Sequence, residues 1–239
     1  MGTFLGSFCT LAVYRIPLKQ DITHERSYCV NCNHKLSVLD LMPVLSYIFL
    51  GGKCRYCKQK IRPRYLILEI FFGLTFMLFI MSLKIDFLSI QIPNLAEITF
   101  FCLYLVTLFL IAGIDKERKN INNQVLSFGI ITSILYIVYL YVVHINIYRY
   151  VIYIIIIAII MVFKKIYKLN NYILQIVLLI LLMSIFTGTY NIIITIILTI
   201  LTLLFAKTID KKKIAEYPIG FVMCIYNILI LIIQNFMNI

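Results

Sequence analysis

The stretch "CVNCNHKLSVLDLMPVLSYIFLGGKCRYCKQKIRPRYLILEI" (29–70) holds two Cys-x-x-Cys pairs, a cluster of basic residues, and then the start of an apolar run. A chain otherwise dominated by Ile, Leu, Phe and Tyr carries here a small cysteine-and-lysine module. Its surroundings fix the solvent. Of 239 residues, 62% are hydrophobic, and the mean hydropathy is +0.98. A soluble domain of this size cannot bury so much apolar surface, so the bilayer is expected to solvate most of the chain. The net charge is +12, from 22 Lys and Arg against 10 Asp and Glu. In a soluble protein that excess would suggest nucleic acid. In a membrane protein it reports topology, because cytoplasmic loops collect Lys and Arg, and no nucleic-acid partner is expected. No repeat of fixed period and no long linker stands out. No cleavable signal peptide is expected, since Arg15 and Pro17 close the first apolar stretch without a small-residue cleavage site.

Working outward, apolar segments fall at about 1–17, 66–83, 95–114, 123–143, 147–163, 171–186, 190–206 and 217–236. A helix needs about 20 apolar residues to cross the hydrocarbon, with about 17 as a lower limit. The expectation is an all-α polytopic membrane protein with eight transmembrane helices, or seven if the short first segment is discounted. Placing 15–64 in the cytoplasm and alternating puts 20 Lys and Arg on the cytoplasmic side against 2, Lys84 and Arg149, outside. That asymmetry sets the expected orientation, with both chain ends outside. The organisation expected is a first transmembrane helix (1–17), a cytoplasmic four-cysteine module (18–64) and a membrane domain (65–239).

Seven cysteines are present. Cys9, Cys102 and Cys224 lie in apolar spans, where a buried thiol packs as a small hydrophobe. Cys29, Cys32, Cys54 and Cys57 form C-x2-C-x21-C-x2-C. Two residues between cysteines let one turn present both sulfurs to the same ion, and two such turns complete a tetrahedral four-sulfur site that suits zinc. Two disulfides are one competing reading, disfavoured in a reducing compartment, and free thiols at a chance spacing are another. A closed four-sulfur site has no open position, so the metal would be structural, folding a loop too short to build its own core. His34 is expected to be a solvated loop residue, since four sulfurs already saturate zinc.

These residues carry a resemblance to the prepilin peptidase family. "GSFCTLAVYRIP" (6–17) is similar to that family's opening motif, with Thr10 where an Asn is usual. The cysteine segment matches more closely, through Leu36, Asp40, Pro43, Leu45 and Ser46, then Gly52, Ile61, Pro63, Arg64, Tyr65 and Glu69. "AGIDKERKNINNQVL" (112–126) resembles the family's first catalytic-aspartate motif. The resemblance implies a multi-pass protein of the bacterial inner membrane, an aspartic endopeptidase cleaving the basic leader of prepilins or pseudopilins at the cytoplasmic face. Many members also methylate the new N-terminus with S-adenosylmethionine. No Gly-rich nucleotide loop is present, so that cofactor rests on the resemblance alone.

An aspartic peptidase needs two neighbouring carboxylates, one protonated and one ionised. Asp115, at the end of an apolar span, is the candidate for one; by position alone it reads as an interfacial acid paired with Lys116, Arg118 or Lys119. The partner, a GxGD motif in the family, is missing. The matching stretch is "FKKIYKLNNYILQ" (163–175). Aligned on Lys168 and Leu169, the Asp position falls on Ile166; a looser alignment gives Asn170 or Asn171. Asn can hold a water but cannot take its proton. Asp210 and Glu216 are the remaining acids that could serve, though near four lysines they read more simply as solvated groups. Glu69 is a candidate substrate-site group by the resemblance, or an acid reaching back to Arg62 and Arg64. Tyr14 and Arg15 read as membrane-interface anchors on either view. The alternative to a peptidase is a catalytically degenerate membrane scaffold with a zinc-stabilised docking loop and a basic surface for anionic lipid or an acidic partner. A transporter would need ionisable groups deep in several spans, and these spans are nearly free of charge.

Overall fold

The computed structural model describes residues 2–22, 26–83, 92–145, 147–148, 150–153, 155–156, 159, 171–210 and 217–237. The chain divides into two compact units, Met1–Lys84 and Ile85–Ile239. The described regular structure is helical, apart from two isolated β-bridges in the cysteine module.

The first unit pairs α1 (Gly2–Arg15) with α3 (Arg64–Ser82), and the cysteine module with its short α2 (Leu45–Phe49) fills the segment between them. The two long helices run antiparallel. Small residues set their separation: Gly2 lies on Gly73 and Phe76, and Gly6 on Glu69 and Phe72. A Cβ at Gly73 would stand 2.7 Å from Thr3 Cγ2, closer than packed atoms allow. Without a hydrophobic force between helices in lipid, such close backbone approach is how they hold together.

The second unit is a bundle of α4 (Ile92–Arg118), α5 (Asn123–Val142), α6 (Asn171–Thr187), α7 (Thr189–Asp210) and α8 (Ile219–Met237). Helix α8 packs on α4, α6 and α7, while α5 packs on α4 and α6. Sequence punctuation explains the breaks. Pro93 sits in the first turn of α4, where its missing N–H costs nothing. Asn122 caps α5, its side chain accepting from the Gln124 N–H at 2.8 Å. Gly188 alone separates α6 from α7, at φ +81°, a left-handed conformation that favours glycine. In the core, Phe186 stacks between Tyr104 and Tyr136, with centroids 4.2 and 4.9 Å away. The Tyr104 hydroxyl donates to Asn227 Oδ1 at 2.5 Å, and Asn227 Nδ2 reaches the Thr187 and Thr195 hydroxyls at 3.3 Å. Polar side chains buried in an apolar bundle must find partners, and this knot ties four helices.

Five described helices are long and apolar enough to cross a membrane: 65–82, 95–118, 123–142, 189–209 and 219–237. The chain is a membrane protein. The expected count of eight does not emerge. Helix α1 has 14 residues, about 21 Å at 1.5 Å per residue, short of a hydrocarbon layer about 30 Å thick. Helix α6 is apolar but 17 residues long, and about half of the span expected over 147–163 lies outside the described residues.

Candidate functional site

The module between α1 and α3 is built from one local design used twice. In the first knuckle the Cys29 N–H donates to the His34 carbonyl at 3.0 Å, the Asn33 N–H to the Cys29 carbonyl at 2.8 Å, and the Leu36 N–H to the Ser27 carbonyl at 2.8 Å. Twenty-five residues later the register repeats: Cys54 to Gln59 at 2.9 Å, Lys58 to Cys54 at 3.0 Å, and Ile61 to Gly52 at 2.7 Å. The bridges Tyr28–Lys35 and Lys53–Lys60 match as well, and Asn33 and Lys58 both adopt positive φ, 54° and 59°. The turn after each Cys-x-x-Cys folds the chain back so that both sulfurs point inward. "YCVNCNHKL" (28–36) and "KCRYCKQKI" (53–61) are therefore two copies of a nine-residue element, a duplication too short to register as a sequence period.

The four sulfurs of Cys29, Cys32, Cys54 and Cys57 lie within 4.8 Å of one another, and Cys29 Sγ is 3.9 Å from Cys57 Sγ. All four are free thiols, so the disulfide reading fails. Four sulfurs about 2.3 Å from a central ion at tetrahedral angles would be about 3.8 Å apart, so the cluster can hold a metal ion. Burial opposes ionisation of Cys29. Hydrogen bonds from the Cys32 and Asn31 N–H groups and from the Cys32 and Cys54 thiols outweigh it and lower its pKa to about 7. Cys57 is pushed up to about 11: the Gln59 N–H favours its thiolate, but burial and the bonds its thiol makes to Cys54, Cys32 and Cys29 prevail. The knuckles are clamped to each other from outside. Asp40 accepts from the Ser37 hydroxyl at 2.7 Å and N–H at 3.1 Å, and pairs with Arg55 Nε at 2.7 Å. The His34 ring lies against Tyr56, centroids 3.6 Å apart, which gives it a packing role and leaves the sulfurs to the cysteines.

Two other residues of this unit serve the module. Arg15, expected at the lipid interface, is only 2% exposed. It donates to the Asp21 carbonyl at 2.7 Å and sits over the Tyr28 ring, so it organises the loop leading to the first knuckle. Glu69 lies on α3, close to the module. Its Oε2 accepts the Val44 N–H at 2.9 Å, holding Val44 at φ 63°, a strained conformation for a β-branched residue.

In the second unit, Asp115 is fully buried at the C-terminal end of α4 and faces the start of α8. Its Oδ2 accepts the Phe221 N–H at 2.9 Å, the Gly220 N–H also bonds to it, and Oδ1 accepts the Tyr172 hydroxyl at 3.2 Å. The first N–H groups of a helix have no partner within it and favour a negative group. Asp115 thus caps α8 from another helix. Gly220 permits the approach: a Cβ there would stand 3.2 Å from Asp115 Oδ2. Lys116 Nζ lies over the Phe221 ring at 4.8 Å. Nearby on α6, Gln175 Nε2 donates to Asn123 Oδ1 at 2.6 Å.

Residues 1–83 match the family described as Bacterial Peptidase A24 N-terminal domain, the same stretch that forms the first compact unit. Over that stretch the chain is similar to the prepilin peptidase family. It is 36% identical over 132 residues to a prepilin leader peptidase/N-methyltransferase of Vibrio cholerae, covering 43% of this chain and 52% of that one. It is 38% identical over 76 residues to one of Myxococcus xanthus (32% and 23%), and 42% identical over 64 residues to one of Bacillus subtilis (27% and 26%). The matches span about half the length of the first relative and about a quarter of the other two. No solved structure matches.

Among the family residues expected from sequence, the four paired cysteines come together. Ile166, Asn170 and Glu216 lie outside the described residues, as does the side chain of Asp210; Asn171 is exposed at the start of α6. The residue that α6 does bring to Asp115 is Tyr172, next to Asn171, which sequence reasoning passed over. Its signal was position alone, inside the stretch where the second motif was sought.

Proposed function

We propose that the chain processes prepilins or pseudopilins at the inner membrane, with the 18–64 module on the cytoplasmic side, removing a basic leader by an aspartic mechanism. The observation that carries this reading is the match over residues 1–83, supported by the family-like motif around Asp115. In such a mechanism Asp115 would be one of two carboxylates that activate water and polarise the scissile carbonyl. The second would come from Asp210, Glu216 or another acid outside the described side chains. The cysteine cluster would hold structural zinc, whose binding adds to the folding energy of a module without its own core. Methyl transfer with S-adenosylmethionine belongs to the same proposal through the relatives' names. Glu69 bonds the module to α3, so any effect on substrate would pass through the position of Val44.

One observation favours a second reading, a scaffold that no longer cleaves: the described groups around Asp115 are two backbone amides and a phenol, with no second carboxylate among them. A single experiment separates the two. Purified protein in lipid is mixed with a prepilin peptide. Cleavage that disappears in Asp115→Asn supports the peptidase. No cleavage by the parent, gained in Ile166→Asp or Asn170→Asp, supports the scaffold.

A further inference from the structure

The cysteine module exposes an apolar face that its own fold does not use. On α2, Leu45, Ile48 and Phe49 follow the i, i+3, i+4 spacing of one helix face and point outward, with Ile48 62% and Phe49 84% exposed. The opposite side is committed: the Tyr47 hydroxyl donates to the Ile61 carbonyl at 3.4 Å and lies on Gly52, where a Cβ would come within 2.9 Å of it. The preceding 3-10 turn, Val38–Leu41, adds exposed Val38, Leu39 and Leu41.

Two observations identify what covers this face. The first is depth. Glu69 lies four residues inside the span that starts at Tyr65, about 6 Å along the helix axis. Its carboxylate holds the Val44 N–H, and α2 begins at the next residue. The 18-residue span is about 27 Å long, close to the hydrocarbon thickness, so Tyr65 stands near the hydrocarbon edge and the Glu69 bond holds the start of α2 within about 6 Å of it. The second is charge. Between Arg26 and Arg62 the module carries seven basic residues and one acid, Asp40, already paired with Arg55. Lys35, Lys53, Lys58, Lys60 and Arg62 are exposed. A short apolar face beside a basic rim is the composition of a segment that lies in an anionic membrane interface.

We propose that the segment 38–49 is a membrane-surface anchor: Leu45, Ile48 and Phe49 insert among the headgroups of an anionic leaflet, and the basic knuckles sit over it. The anchor and the Glu69–Val44 bond together fix the module against the membrane at the mouth of α3. This inference rests on α3 crossing the bilayer and is independent of whether the chain cleaves anything.

The chain contains no Trp, so single substitutions supply a unique fluorophore. Phe49→Trp and Ile48→Trp, both at exposed positions that tolerate the larger ring, are reconstituted as full chains in phosphatidylcholine–phosphatidylglycerol nanodiscs. Val30→Trp, on the first knuckle, is the aqueous control. The expected result is blue-shifted emission from positions 48 and 49, quenching by lipid-borne bromine and protection from acrylamide, with position 30 showing the reverse. Acrylamide access at 48 and 49 equal to that at 30 overturns the proposal. Protection from acrylamide without quenching by lipid bromine overturns it too, since protein and not lipid would then cover the face.

Discussion

The contact between Asp115 and the first turn of α8 makes a prediction whose sign depends on the background. Replacing Gly220 by Ala places a Cβ 3.2 Å from Asp115 Oδ2 and 3.4 Å from its Cγ and from Ile121 Cδ1. On helix propensity alone the change stabilises α8, by up to about 1 kcal/mol. Against this, the carboxylate must retreat by a few tenths of an ångström, loosening the Phe221 bond now at 2.9 Å. A hydrogen bond to a charged group contributes about 1.5–3 kcal/mol, so weakening it outweighs the propensity gain by about 1 kcal/mol. In Asp115→Ala the obstacle is gone, and Gly220→Ala should be neutral or stabilising by up to about 1 kcal/mol. The double-mutant cycle therefore yields a coupling of about 1–2 kcal/mol. Reversible SDS-induced unfolding in mixed micelles, applied to the parent, both single variants and the double, measures it. An equal loss from Gly220→Ala in both backgrounds would refute the idea that Gly220 is there to admit the carboxylate.

Further outcomes are expected elsewhere. Asp40 has a pKa below its ordinary 3.8: burial opposes this, but the Ser37 hydroxyl and N–H and then Arg55 prevail. A carboxyl depressed on folding adds stability above its unfolded pKa and loses it as pH falls through the folded value, so the parent's advantage over Asp40→Asn is complete at neutral pH and vanishes in acid. Hydrogen exchange across residues 37–56 at a series of pH values checks it. Cys54→Ser removes a buried sulfur from the cluster and should drop bound metal well below stoichiometric in protein purified without chelator, as read by elemental analysis. Gly73→Ala drives a methyl to 2.7 Å from Thr3 Cγ2 and should cost about 1–3 kcal/mol in unfolding, with the loss recovered in part by Thr3→Ser.

The readings that succeeded from sequence rest on local regularities. Long apolar runs became helices because a bilayer leaves backbone polar groups no other partner. The Cys-x-x-Cys pairs closed into one cluster because each pair sits in a self-contained turn. Readings that depended on reach fared differently. Arg15 looked like an interfacial anchor because a basic residue at a helix end usually is one, yet carbonyls of a later loop claim it. Glu69 holds the Val44 N–H, 25 residues earlier, a contact that no local spacing signals.

What the sequence determined by itself is the solvent, the helical class and the four-sulfur cluster, since each is written in composition or in spacings of a few residues. The tertiary structure alone decided that Asp115 faces Tyr172, 57 residues away, and the Phe221 amide, 106 residues away. Hydropathy cannot encode those meetings. They follow from which helix packs against which, and apolar faces of similar composition leave that choice to the fit of small residues such as Gly220 at the crossing points.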